Sequence, residues 1–158
     1  MLKENIIRDF NNGEVEYSDF INQVKEATLN GYDVFIGTDS QVIKTKLSIV
    51  TCVCLYKAGT GKSQIFYVKN RLPAKNYPTL RSRMLFEAYK SLEAALEVDP
   101  HAAGKLTVHL DIGSDFKKCR TAKFQKELQI LVRSQGFGCE VKPNSWASSA
   151  VADRFTKT

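Results

Sequence analysis

Four carboxylates in this chain fall where a folded backbone holds a side chain still. Asp39 stands in Ile36-Gly37-Thr38-Asp39-Ser40-Gln41, behind the β-type run Val34-Phe35-Ile36, and Asp111 closes Leu106-Thr107-Val108-His109-Leu110, just before Ile112-Gly113. An acid at the tip of a buried strand is a common way to place a metal ligand or a catalytic base, because the sheet holds it rigidly. Aspartate also starts turns well, so position alone leaves both roles open. The other two acids tip the reading. Glu87 lies at the edge of a helical apolar stripe, on the same side as Leu80 and Met84. Asp153 shares a helical face with Trp146 and Ala150, being seven and three residues further on, in a segment of small residues that can lie close against a neighbour.

Carboxylates gathered out of water repel one another unless cations neutralise them. An all-oxygen donor set without His or Cys suits Mg²⁺ or Mn²⁺ rather than zinc. Two such ions, ~3.5–4 Å apart, activate a water and stabilise the leaving oxygen in phosphodiester cleavage. The histidines His101 and His109 make no metal-binding spacing with Cys52, Cys54, Cys119 or Cys139. His109 precedes Asp111 by two, so it shares a strand face with it; this leaves a place near the metals open, but His109 reads better as a packed strand residue. Cys52 and Cys54 alternate onto one face of a strand, where cysteine acts as a small hydrophobe.

The elements that must position these acids follow from periodicity. A helix is expected over about residues 16–29, stopped by Asn30-Gly31, then strands over 34–38, 47–56 and 64–68. The loop between the last two contains Gly61-Lys62-Ser63, which imitates the end of a phosphate-binding loop. Its first glycine would fall at Tyr56, and strands flank it on both sides, so the motif is rejected. A loop over 70–78, with Pro73 and Pro78, leads to a helix over 80–98, closed by Asp99-Pro100. A fourth strand (106–110) precedes a long helix over 115–135, capped by Ser114 and ended by Gly136. A fifth strand covers 138–141, and a last helix begins near Ser145.

With 158 residues, 43% apolar and 25% charged, the chain reads as one domain (1–158) able to bury a core. No run approaches the ~18 apolar residues of a membrane helix, and no signal-peptide pattern opens it, so a cytoplasmic location is the default expectation. The formal charge is +6, which permits nucleic-acid binding without demonstrating it. Positive charge gathers at Lys117, Lys118 and Arg120 in the long helix and at Arg71 and Arg83 around the proline loop. Such a run is commonly a solvated face; at a nuclease site it would contact phosphates.

Taken together, Ile36-Gly37-Thr38-Asp39-Ser40-Gln41, Arg83-Met84 with Glu87, Val108-His109-Leu110-Asp111-Ile112, and Val141-Lys142-Pro143 through Ser145-Trp146-Ala147 to Val151-Ala152-Asp153 resemble the ribonuclease H-like fold. More closely they resemble the YkuK-type family of predicted ribonuclease H-related proteins. The resemblance spans about residues 33–157. It implies an α/β fold: a five-stranded mixed sheet, its first three strands antiparallel, flanked by helices. It further implies Asp39 and Asp111 as central ligands of two Mg²⁺ or Mn²⁺ ions, with Glu87 and Asp153 each completing one site. Glu93 is the alternative to Glu87, and Asp115 an alternative near Asp111. Lys117, Lys118, Arg120, Arg71, Arg83 and Lys142 are then expected to contact RNA, DNA or a hybrid. The expected activity is metal-dependent phosphodiester hydrolysis. The alternative is a non-catalytic nucleic-acid-binding or assembly module on the same fold. A phosphotransferase of this fold would need a glycine-rich loop after the first strand, which is missing.

Overall fold

The structure of the protein, a computed structural model, describes residues 1–113 and 124–157. In chain order its strands are β1 (Ile7–Asp9), β2 (Gly13–Val15), β3 (Asp33–Ile43), β4 (Lys46–Lys57), β5 (Lys62–Pro73), β6 (Leu106–His109) and β7 (Gly138–Glu140). The helices are α1 (Tyr17–Leu29), α2 (Leu80–Val98), α3 (Gln125–Ser134) and α4 (Asp153–Thr156); a π-helical stretch, Ala147–Ala152, runs straight into α4. The strands form one mixed sheet in the order β2-β1-β5-β4-β3-β6-β7. β3, β4 and β5 pair antiparallel, as expected, and β6 lies parallel beside β3, with β7 parallel beside β6.

The expected sheet of five strands is therefore corrected to seven. The two additional strands, β1 and β2, are three residues each and pair antiparallel around Phe10-Asn11-Asn12, with Gly13 at φ 79°. Their brevity hides any alternation of apolar and polar residues, but the Asn-Gly dipeptide is a hairpin signal.

Helix α1 buries Phe20, Ile21, Val24 and Thr28 at helical spacing. Helix α2 starts at a capping box: Thr79 Oγ1 accepts from the Ser82 backbone N–H and Ser82 Oγ from that of Thr79. Its buried stripe of Glu87, Ala88, Ser91, Leu92, Ala94, Ala95 and Val98 faces the sheet. One face of the sheet carries Val34, Ile36, Val53, Leu55, Phe66 and Val68 against the larger core. The opposite face carries Phe35, Val50, Cys52, Cys54, Ile65 and Tyr67 under Trp146, Ala147, Ala152 and Phe155. Both faces of the central strands are covered, which is why β4 reads as a nearly continuous apolar run.

Two strands are longer than their apolar patterns suggest. β3 continues past residue 38 to Ile43, and β5 runs to Pro73, so part of the expected proline loop is strand. The ladder persists because Val42 and Ile43 pair with Leu47 and Lys46 across the tight Lys44-Thr45 turn, Lys44 taking φ 58°. The long helix expected from residue 115 is described from Gln125; its earlier part, with Lys117, Lys118, Arg120, Asp115 and Cys119, lies outside the described residues. Among the described residues no helix is long and apolar enough to cross a membrane.

Candidate functional site

The extension of β3 changes what holds Asp39. The residue sits within an 11-residue strand rather than at its tip, paired opposite Val50 and only 7% exposed. β6, by contrast, pairs with β3 only as far as Gly37 opposite His109. Beyond that point, among the described residues, no strand pairs with this edge of β3 beside Thr38, Asp39 and Ser40. Asp111, two residues after the end of β6, lies at this gap.

The four expected acids converge on it. Glu87 of α2 is buried and accepts a hydrogen bond from Ser40 Oγ at 2.5 Å. It lines a small cavity with Thr38, Ser91, His109 and Asp111. Glu93 instead faces solvent and pairs with Lys90, so Glu87 is the acid that α2 turns to the sheet. On the other face, Asp153 stands close enough to Asp39 to raise its carboxyl. Two carboxylates brought together out of water need a proton or a cation between them.

The electrostatics record this crowding. Burial, then the charge of Asp111 and the contact with Asp153, push the Asp39 carboxyl up to about 7. Burial, followed by the charge of Asp39, holds Glu87 well above the ordinary carboxylate range, and the Ser40 hydrogen bond only partly opposes this. Two ammonium groups offset the charge: Lys142 Nζ lies 3.0 Å from Asp111 Oδ1, and Lys157 Nζ lies 3.0 Å from Asp153 Oδ2. Asp111 Oδ1 is buried, with the Lys142 ammonium as its ion-pair partner. A set of all-oxygen donors fits a hard divalent cation chemically. Among the described residues, however, no three His, Cys, Asp or Glu side chains stand close enough together to hold one ion.

How Asp153 arrives corrects the reading from helical spacing. Ala150 is exposed, whereas Ala147, Ser148, Ala152, Phe155 and Thr156 are buried. The π winding advances the inward face by about four residues per turn or more, so 148, 152 and 156 stack inward. Trp146, Ala150 and Asp153 do not share one face. Asp153, half-buried at the flank of this stripe, reaches Asp39 because the segment lies directly on β3. Gly37 permits that approach: a Cβ there would stand 2.4 Å from Ser148 N and 2.6 Å from Ala147 C, both backbone atoms. His109 secures the same segment, its Nδ1 accepting from the Ala147 backbone N–H at 3.1 Å. Its ring packs against Phe35 and Trp146, so it is the packed strand residue the sequence suggested. Burial pushes it down to about 4 and keeps it neutral.

Two side chains have roles the sequence reading did not assign. Ser40 anchors Glu87, and its place directly after Asp39 in the strand was the available signal. Thr156 Oγ1 lies 3.3 Å from Asp39 Oδ2 and 2.8 Å from the Asp153 carbonyl oxygen, its one proton serving either. The basic residues divide. Lys142 stands at Asp111, Arg83 lies one helical turn before Glu87, and Arg71 is exposed on β5. Lys117, Lys118 and Arg120 fall outside the described residues.

A mixed sheet with helices packed on both faces is an α/β fold of ribonuclease H type. A family model described as Ribonuclease H-like matches residues 16–157, and this chain belongs to that family. It is also similar to a Bacillus subtilis (strain 168) protein named uncharacterized protein YkuK, with 31% identity over 150 aligned residues covering 85% of this chain and 84% of the other. No solved structure gives a significant match.

Proposed function

We propose that this protein is a divalent-metal-dependent nuclease that hydrolyses phosphodiester bonds of nucleic acid, with Asp39, Glu87, Asp111 and Asp153 holding Mg²⁺ or Mn²⁺. The observation that carries this reading is the crowding at Asp39, whose carboxyl is pushed up to about 7 by burial and by Asp111 and Asp153. Carboxylates kept together at that cost make chemical sense when a cation shares them. When bound, two such ions supply Lewis acidity to the attacking and the leaving oxygen.

The chain's own residues would prepare that centre. Ser40 Oγ fixes the Glu87 carboxylate by its hydrogen bond. Gly37 and His109 seat the π-helical stretch so that Asp153 reaches Asp39. Thr156 holds the second oxygen of Asp39 in place. Lys142, already beside Asp111, keeps positive charge where a phosphate would enter. Arg71 and Arg83, with Lys117, Lys118 and Arg120, are assigned to grip the backbone of the substrate.

The second reading, a non-catalytic nucleic-acid-binding or assembly module, is favoured by one observation. No three of the described acids stand at single-ion spacing. Labelled single-stranded DNA, duplex DNA, single-stranded RNA and RNA–DNA hybrid, each incubated with Mg²⁺, Mn²⁺ or EDTA, separate the two. The nuclease reading predicts cleavage that needs metal and falls at least ~100-fold in an Asp111→Asn preparation, as for loss of a group that acts in the transition state. Binding without cleavage, or cleavage equal in Asp111→Asn, would leave the module.

A further inference from the structure

Past Asp39 the sheet continues as a three-stranded arm. The paired rows are Asp39, Val50 and Lys69, then Gln41, Ser48 and Arg71, then Ile43, Lys46 and Pro73 at the tip. Registers run without interruption, so residues of these rows share one face. It is the face of Gly37, Val50 and Cys52, on which the π-helical stretch and α4 lie. Lys69 confirms the side, since its Nζ donates to the Phe155 carbonyl at 2.9 Å. Among the described residues, α4 reaches this face as far as the Lys69 row. Beyond it Gln41, Lys44, Lys46 and Arg71 are exposed. Ser48 Oγ, buried between Gln41 and Arg71, has no hydrogen-bond partner among the described residues.

Charge is partitioned along the chain to match. Residues 40–86 contain nine Lys and Arg and no Asp or Glu. The rest of the chain is net acidic, with 14 Lys and Arg against 17 Asp and Glu. The arm therefore offers an anion an approach with no carboxylate of its own, directly continuous with the carboxylate cluster.

We propose that this face of the arm is the track that holds the substrate strand flanking the cleaved bond, an inference that rests on the nuclease reading. From the Asp39 row to the Ile43 row is about 13 Å at ~3.3 Å per residue. That matches about four nucleotides of a duplex strand at the ~3.4 Å rise. Arg71 offers a planar fork to phosphate oxygens and Lys46 a point charge at the tip. Gln41, exposed between them, supplies hydrogen bonds to sugar or phosphate oxygens. None of these contacts reads a base edge, so the track is indifferent to sequence.

The test is binding of a labelled RNA–DNA hybrid and a DNA duplex by the full chain in EDTA, followed by anisotropy across a salt series. A Lys46→Gln/Arg71→Gln double variant is compared with wild type and with Lys57→Gln/Lys62→Gln. The second pair removes the same charge from the other end of the same strands. Two lost phosphate contacts should flatten the slope of log K against log salt by about 1.5–2 in the arm variant. The control variant should keep the wild-type slope, and melting temperatures of all three should agree. An unchanged slope in the arm variant, or an equal loss in the control, would overturn the track while metal-dependent cleavage still stood. A wild type that binds neither probe would overturn the nucleic-acid reading itself, and the track with it.

Discussion

At Asp39 the carboxyl titrates near 7 instead of its ordinary 3.8 because burial and two neighbouring acids disfavour its charge. In metal-free protein the folded state therefore keeps a proton that the unfolded chain releases, and stability falls as pH rises between those two values. Glu87, raised by the same causes, adds to this fall. His109 works the other way. Its buried ring, depressed to about 4, is stabilising when neutral, and that contribution is lost as pH drops from about 6.5 toward 4. Asp39→Asn removes the first effect and the share of the Glu87 effect that comes from the Asp39 charge. In urea melts with EDTA at pH 8 the variant should be more stable than wild type by about 2–4 kcal/mol, the order of a three-unit shift. At pH 3 the two should coincide. A variant less stable than wild type at both pH values would mean that the Asp39 carboxylate is structurally supported rather than crowded.

The element that decides the geometry is the π-helical stretch Ala147–Ala152, pressed onto β3 at Gly37. Gly37→Ala places a methyl group against backbone, not against a side chain that can swing away. The segment must lift, at a cost of about 2–4 kcal/mol for overpacking, and carry Asp153 away from Asp39. Thermal melts should show Tm lowered by roughly 5–15 °C, with cleavage reduced beyond what the unfolded fraction explains. An unaltered Tm would contradict the close contact. Sequence exposed some of this and hid the rest for physical reasons. Helix α2 was legible to the residue because 19 periodic residues leave little freedom, and the position of Glu87 at the stripe edge followed from that register. Asp111 was legible from its place just beyond an apolar strand. Asp39 was expected at a strand tip but lies within the strand, since pairing rather than burial keeps β3 going through Ser40 to Ile43. Asp153 was placed inward on a periodicity that the backbone does not follow there. β1 and β2 were missed because three residues cannot display a period.

Across the whole molecule, two fields of opposite sign meet at the gap between β3 and β6. The acids there come from four elements: β3, α2, the segment after β6, and α4. The acid-free stretch 40–86 places its positive charge on the strands and loop that lead away from them. Membership of the ribonuclease H-like family over residues 16–157 accounts for this layout of strands and helices, while the chemistry depends on whether the four acids act as one cation site. Calorimetric titration of Mn²⁺ into wild-type protein and into Asp39→Asn, at pH 8 after removal of metal, asks this directly. The expected result is saturable Mn²⁺ binding by wild type and binding at least ~10-fold weaker in the variant, a difference of about 1.4 kcal/mol or more. Equal binding by both proteins, or none by wild type at millimolar Mn²⁺, would contradict a shared metal centre at Asp39.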